Sequence, residues 1–141
     1  MKIRVKKLNP KAKIPRYAHP GDAGMDFFSL ERVVLRPGER NKCSTGIALE
    51  IPEGYVGLVW DKSGVAGNYG IKTMAGVVDS GYRGEIMIAL VNLSKEVYTI
   101  NAGDKIAQML IQKIECPEIE EVQELSDTKR GKGGFGSTGI K

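Results

Sequence analysis

The sequence has one histidine, His19, and two cysteines, Cys43 and Cys116, with no CxxC spacing and no histidine beside either. The usual zinc patterns are therefore excluded, and two distant cysteines do not support a disulfide from sequence. Without a second histidine, Ser–His or Cys–His nucleophilic catalysis has little support. His19 stands before Pro20 in a loop and is assigned no role. No apolar run approaches the roughly 20 residues needed to span a bilayer, so no membrane partner is expected. The opening residues, MKIRVKKLNPKAK, are basic, but no apolar segment follows them. They do not read as a secretory signal, and the expected compartment is the cytoplasm.

The 141 residues, 41% of them hydrophobic, suit one domain able to bury a core without disulfides or structural metal. The net charge of +4 is unevenly placed. Lys2, Arg4, Lys6, Lys7, Lys11, Lys13 and Arg16 run without an acid among them, residues 115–127 are acidic, and Lys129, Arg130 and Lys132 follow. A basic segment suits a polyanion such as nucleic acid or a triphosphate. In the first run, however, Ile3 and Val5 alternate with Lys2, Arg4 and Lys6, as on a strand with one solvated face. That reading is favoured, and no nucleic-acid partner is expected.

Short strand patterns alternate with turn signals almost to the end. Lys2 to Leu8 and Gly46 to Ile51 alternate polar with apolar residues, and Val33 to Leu35 runs into Arg36-Pro37-Gly38-Glu39. Tyr55 to Trp60 and Glu85 to Leu93 are apolar on both faces, as in strands buried between layers or subunits. Val97 to Ile100 turns at Asn101-Ala102-Gly103-Asp104 into a last strand, Lys105 to Ile114. Only Ser63 to Gly70 reads as a helical turn or two. Many short strands joined by Gly and Pro turns predict an all-β, jelly-roll-like sandwich. Residues 1–123 form this domain. Residues 124–141, ELSDTKRGKGGFGSTGIK, are too glycine-rich to bury enough surface unaided and read as a tail.

The central stretch is Met74 to Leu93, MAGVVDSGYRGEIMIALVNL. It reads as a hairpin: Val77-Val78, a tight turn at Asp79 to Tyr82, and a long returning strand. Gly81 and Gly84 permit backbone angles other residues resist. Such a bend holds one carboxylate and one aromatic ring at a pocket mouth, although an Asp beside a turn is most often bonding its own backbone.

Four other places carry chemistry-bearing residues. GDAGMDF (21–27) puts an acid, Asp26, in a glycine-rich entry to a strand. Lys62-Ser63-Gly64 joins a cation, a hydroxyl and a bare amide at a strand end, a set suited to phosphate. Gln108 interrupts an apolar strand, and a buried amide needs partners. Phe135 sits alone among glycines, between Arg130 and Lys132 on one side and Ser137 and Thr138 on the other. A base can stack on that ring while cations, hydroxyls and amides hold phosphates. The segment is not a Walker loop, because GKGGFGS lacks the GK[ST] ending and no helix follows.

AGMDF (23–27), DKSG (61–64), GVVDSGYRGEI (76–86), GDKIAQM (103–109) and RGKGGFGSTG (130–139), in this order and spacing, resemble the trimeric dUTPase family. The resemblance implies a jelly-roll-like subunit, a homotrimer, and active sites assembled from several subunits, with each tail closing over a neighbour's site. It implies hydrolysis of dUTP to dUMP and pyrophosphate, which limits uracil in DNA and supplies dUMP for thymidylate synthesis. Asp79 is then the base that activates the attacking water. Gln108 contacts the α-phosphate region, Lys62, Ser63 and Gly64 hold phosphate oxygens, and Arg130 grips the distal phosphate. Mg²⁺ is carried mainly by the substrate phosphates, with Asp26 acting through a metal-bound water. Gly76, Val77, Val78, Asp79 and Met87 bound the uracil slot, and Tyr82 packs on the deoxyribose. Phe135, flanked by Gly136, Ser137 and Thr138, stacks on the base as the tail closes.

The chain departs from the family pattern twice. Lys62 stands where Arg is usual, so only a point charge is offered in place of a bidentate contact. Gly81 stands where many members carry Asp. Two alternatives stay open: a dCTP deaminase-type relative, for which Glu85 is the acid to watch, and a non-catalytic nucleotide-binding protein of the same fold.

Overall fold

The computed structural model describes residues 1–134. Eleven strands and one short helix appear in the order β1 (Arg4–Lys7), β2 (Met25–Phe28), β3 (Val33–Leu35), β4 (Arg40–Cys43), β5 (Ile47–Glu50), β6 (Tyr55–Trp60), α1 (Ser63–Tyr69), β7 (Ile71–Met74), β8 (Val77–Val78), β9 (Ile88–Asn92), β10 (Tyr98–Ile100) and β11 (Lys105–Lys113). All pairings are antiparallel. The strands form a four-stranded sheet, β2-β11-β6-β8, a three-stranded sheet, β4-β9-β7, and the pairs β1-β5 and β10-β3. This is the all-β, jelly-roll-like architecture that the turn-punctuated pattern predicts.

Alternation along the strands makes the core. Ile88 and Leu90 of β9 are buried, whereas Ala89 and Val91 are only partly so. Ile71 of β7 joins them in the same sheet, and Phe27, Leu35, Ile47, Ile100 and Met109 come from the other sheets. Removing such side chains from water contributes roughly 1.5–3 kcal/mol each, which is what holds the layers together. β11 lies between β2 and β6 with Gln108 opposite Asp26 on one side and Trp60 on the other. One cross-strand row thus gathers three positions just before the chain leaves β6 for α1.

The expected hairpin is not one. β8 pairs with β6, while β9 pairs with β4 and β7, so the two arms enter different sheets. The turn itself forms, with Tyr82 N–H donating to Asp79 O at 3.1 Å. The returning strand covers only Ile88–Asn92, because Glu85 is pulled into an isolated bridge opposite Ala48. Two strands were not anticipated. β4 is RNKC, whose first three residues are exposed and carry no apolar alternation. β7 alternates cleanly, but it follows the helix with only Gly70 between.

Residues 114–134 contain no strand or helix, and Ile119 and Leu125 are 95% and 87% exposed. No helix among the described residues is long and apolar enough to cross a membrane.

Candidate active site

Two depressions hold most of the expected site residues. The first, about 390 Å³, is lined by Gly76 to Asp79, Tyr82 and Met87, with Lys42 at its wall. The chain reaches it from β7 through Ala75 at φ 62° and Gly76 at φ 154°. Gly76 lies so close to β6 that an added Cβ would stand 2.7 Å from the Val59 carbonyl oxygen. The Gly76 carbonyl itself accepts from Val59 N–H at 2.8 Å. β8 is the edge strand of its sheet, so one backbone edge of Val77–Val78 presents peptide groups that no strand uses. A planar ring with alternating donors and acceptors can pair with such an edge.

Beyond β8 the turn delivers Asp79 to the same depression. Asp79 is exposed, and none of the ion pairs among the described residues involves it. The Tyr82 ring folds over Gly84, where a Cβ would come within 2.6 Å of Cζ, and its hydroxyl donates to Glu85 O at 3.0 Å. Arg83 Nη1 braces the bend from beneath, donating to the carbonyls of Ser80 at 2.6 Å and Tyr82 at 2.9 Å.

Glu85 fixes the far foot of this loop. Its Oε1 accepts from Thr45 N–H at 3.1 Å, from Gly46 N–H at 2.7 Å, and from the Ser44 hydroxyl. The Ser44 bond outweighs the opposing effect of burial, and the two amides add to it, so the carboxyl sits below its usual pKa. All three donors belong to the protein's own loop, and the acid acts as an anchor.

The second depression, about 470 Å³, is lined by Asp22 to Gly24, Trp60 to Lys62, Gln108 and Leu110. Gln108 Nε2 donates to Asp61 O at 2.9 Å. Gly24 makes room for this amide, since a Cβ there would lie 2.9 Å from Gln108 Cδ. Asp26 is 1% exposed and lies between Lys62 at 2.6 Å and Lys105 at 2.7 Å. No other group among the described residues donates to its oxygens. Burial opposes its charge, but Lys105 and Lys62 overcome that and hold the carboxyl below its usual pKa.

Lys62 therefore faces Asp26 rather than open solvent, and Asp26 reaches a metal-bound water only if both ammonium groups swing aside. Nor do three acidic, thiol or imidazole groups gather as a metal site among the described residues. The donor set does not fit an ion caged by protein, and it leaves room for one carried on phosphate oxygens.

The remaining expected residues stand elsewhere. Ser63 and Gly64 are exposed in the first turn of α1 and line neither depression. Arg130 also lines neither, and its Nε donates to Gly133 O at 2.9 Å within an exposed turn. Phe135, Gly136, Ser137 and Thr138 lie outside the described residues. Three residues that the sequence reading passed over join the sites: Lys105, Lys42 and Asp61. Lys105 had a signal, being the only cation in GDKIAQM. Lys42 had none, because β4 itself was not foreseen.

An all-β subunit with one recess walled by an edge strand's backbone and an exposed carboxylate, and another by a lysine, two acids and an amide, has the concave, polar-tipped sites of a small-molecule-binding protein. The family model described as dUTPase matches residues 10–139. The chain is 49% identical to the deoxyuridine 5'-triphosphate nucleotidohydrolase of Clostridium kluyveri over 99% of both chains. It is 48% identical to that of Clostridioides difficile over 98% of both. Among solved structures, the dUTPase of Staphylococcus bacteriophage 80alpha with dUPNHPP superposes with TM-score 0.92 at 36% identity, covering 99% of each chain. A mutant dUTPase from phage phi11 of S. aureus, described for its coordination of a structural Mg(II) ion, gives TM-score 0.82 at 35% identity, covering 88% of this chain and 98% of that one. The chain belongs to the dUTPase family.

Proposed function

We propose that the chain hydrolyses dUTP to dUMP and pyrophosphate, with Asp79 as the general base. One observation carries this reading: an exposed carboxylate, in no ion pair among the described residues, stands beside the edge-strand backbone of Val77–Val78 in a recess of about 390 Å³. Uracil pairs with that edge between Gly76 and Met87. The narrow slot excludes a 5-methyl group, and its fixed donor–acceptor order mismatches cytosine. The Tyr82 ring packs on the deoxyribose and leaves no space for a 2′-hydroxyl.

A water beside Asp79 attacks the α-phosphorus. Its proton passes to the carboxylate as the new P–O bond forms, and the bond to the β-phosphate oxygen breaks to release pyrophosphate. A positioned base of this kind typically contributes about 10²–10⁴ in rate. Mg²⁺ belongs to the substrate here, riding on the triphosphate and drawing off the charge that develops on the leaving group. Gln108 meets the α-phosphate region, and Lys62, Ser63, Gly64 and Arg130 meet the phosphate chain. Lys62 must exchange Asp26 for phosphate to do so, and Lys105 remains to neutralise Asp26 when it leaves.

The base-side and phosphate-side groups lie in separate depressions of one chain, which supports a homotrimer whose sites are completed by neighbouring copies. Residues 124–141 form the closing tail, with Phe135 stacking on uracil. The exposed Leu125, with Ile119 exposed just before the tail, supports a segment that finds its cover on another copy. Deamination is disfavoured, because Glu85 is already engaged by three donors of the connection between β4 and β5. The test is pyrophosphate release across dUTP, dCTP, dTTP and UTP with Mg²⁺. Release from dUTP alone is expected, and ammonia from dCTP, or binding of dUTP without cleavage, would overturn the reading.

A further inference from the structure

We propose that Asp61 is a positioning residue for this reaction, one that fixes both Gln108 and the Lys62–Gly64 turn relative to the rest of the subunit. The proposal rests on the function above and adds to it a residue that touches no substrate. Asp61 stands at the exit of β6, with only Lys62 between it and α1. Its Oδ1 accepts from the Thr73 amide and the Thr73 hydroxyl, each at 2.7 Å, and its Oδ2 takes Lys72 Nζ at 2.8 Å. Lys72 and Thr73 lie on β7, in the other sheet. The Asp61 carbonyl meanwhile accepts from Gln108 Nε2 on β11.

One residue thus ties together three strands from two sheets at the point where the chain enters the phosphate-side turn. α1 has no side-chain cap of its own and no buried residue to hold it, so its first turn depends on where β6 ends. The carbonyl can only accept, so the amide nitrogen of Gln108 must face it, and Oε1 is turned to the Gly24 side of the depression. The clamp is more than an exposed ion pair, which alone contributes little. Thr73 is 9% exposed, and without Asp61 its amide and hydroxyl would be left without these partners. β7 also runs directly into Ala75 and Gly76, so the same clamp sets where the base-side edge begins.

The test is a double-mutant cycle on dUTP hydrolysis using Asp61→Asn, Gln108→Ala and the pair, with thermal melts alongside. Asp61→Asn keeps the shape but loses the charge and one acceptor. It is expected to lower kcat/KM about tenfold, and in the Gln108→Ala background to cost only about threefold, because the share acting through Gln108 is gone while the share acting through the Lys62–Gly64 turn remains. Thr73→Val, which removes only the hydroxyl donor, should show a smaller loss with the same non-additivity, and it serves if Asp61→Asn fails to fold. Full additivity with Gln108→Ala, or a lowered melting temperature with unchanged kcat and KM, would overturn the proposal. An inactive wild-type chain would instead overturn the proposed function itself.

Discussion

Replacing Glu85 by Gln separates an anchoring carboxylate from a catalytic one. Glu85 Oε1 receives the Ser44 hydroxyl and the Thr45 and Gly46 amides. A hydrogen bond to a charged acceptor contributes about 1.5–3 kcal/mol, against about 0.5–1.5 for a neutral one. Glutamine keeps the acceptor oxygen and the shape, so each bond weakens by about 1 kcal/mol and none is lost. The site is half-buried, the effects overlap, and the net destabilisation should be about 1–3 kcal/mol. For a chain of this length that corresponds to a melting temperature lower by about 2–10 °C.

The pH dependence gives the sign independently. The folded-state pKa of Glu85 is lowered from 4.5, so its contribution is complete above about 4.5 and is lost as pH falls through the folded value. The stability gap between wild type and Glu85→Gln should therefore be constant near neutrality and close below pH about 4.5. Urea titrations at several pH values measure the gap, and pyrophosphate release at 25 °C measures turnover. Turnover of the folded variant should stay close to wild type. Undiminished stability with abolished turnover would refute the anchoring role and reopen the deaminase reading.

Gly76→Ala should be costly in two ways, since the new Cβ would press on the Val59 carbonyl at 2.7 Å with the backbone at φ 154°. Overpacking and backbone strain together should destabilise by about 2–4 kcal/mol. KM for dUTP should rise as the slot shifts, and an unchanged melting temperature and KM would remove Gly76 from the base-side wall. Deleting residues 130–141 should leave the proposed homotrimer intact by light scattering while dUTP turnover falls severely. An unchanged rate would make the tail a passive extension.

The fold class was legible because the strongly alternating or doubly apolar runs became strands, Gly46 to Ile51 and Tyr55 to Trp60 within a residue and Glu85 to Leu93 three residues late at its start. The pairing was not. Val77-Val78 and the run after Glu85 flank a turn signal, and nothing local reveals that one arm joins β6 while the other joins β4 and β7. β4 was invisible because RNKC buries only Cys43. At the site, single residues in unusual company stood out: Asp79 beside glycines, Gln108 in an apolar strand, Lys62-Ser63-Gly64 after Trp60. Their partners did not. That Lys62 turns to Asp26, that Lys105 joins it, and that Asp61 reaches across to β7 are long-range facts with no periodicity to announce them.

The most direct test is Asp79→Asn, measured for dUTP binding and for pyrophosphate release on the same preparation. The amide fills the same volume but cannot take the proton of the attacking water. Binding and assembly should persist while turnover falls by about 10²–10⁴. Turnover near that of the wild type, with Asp79 neutral, would contradict the account.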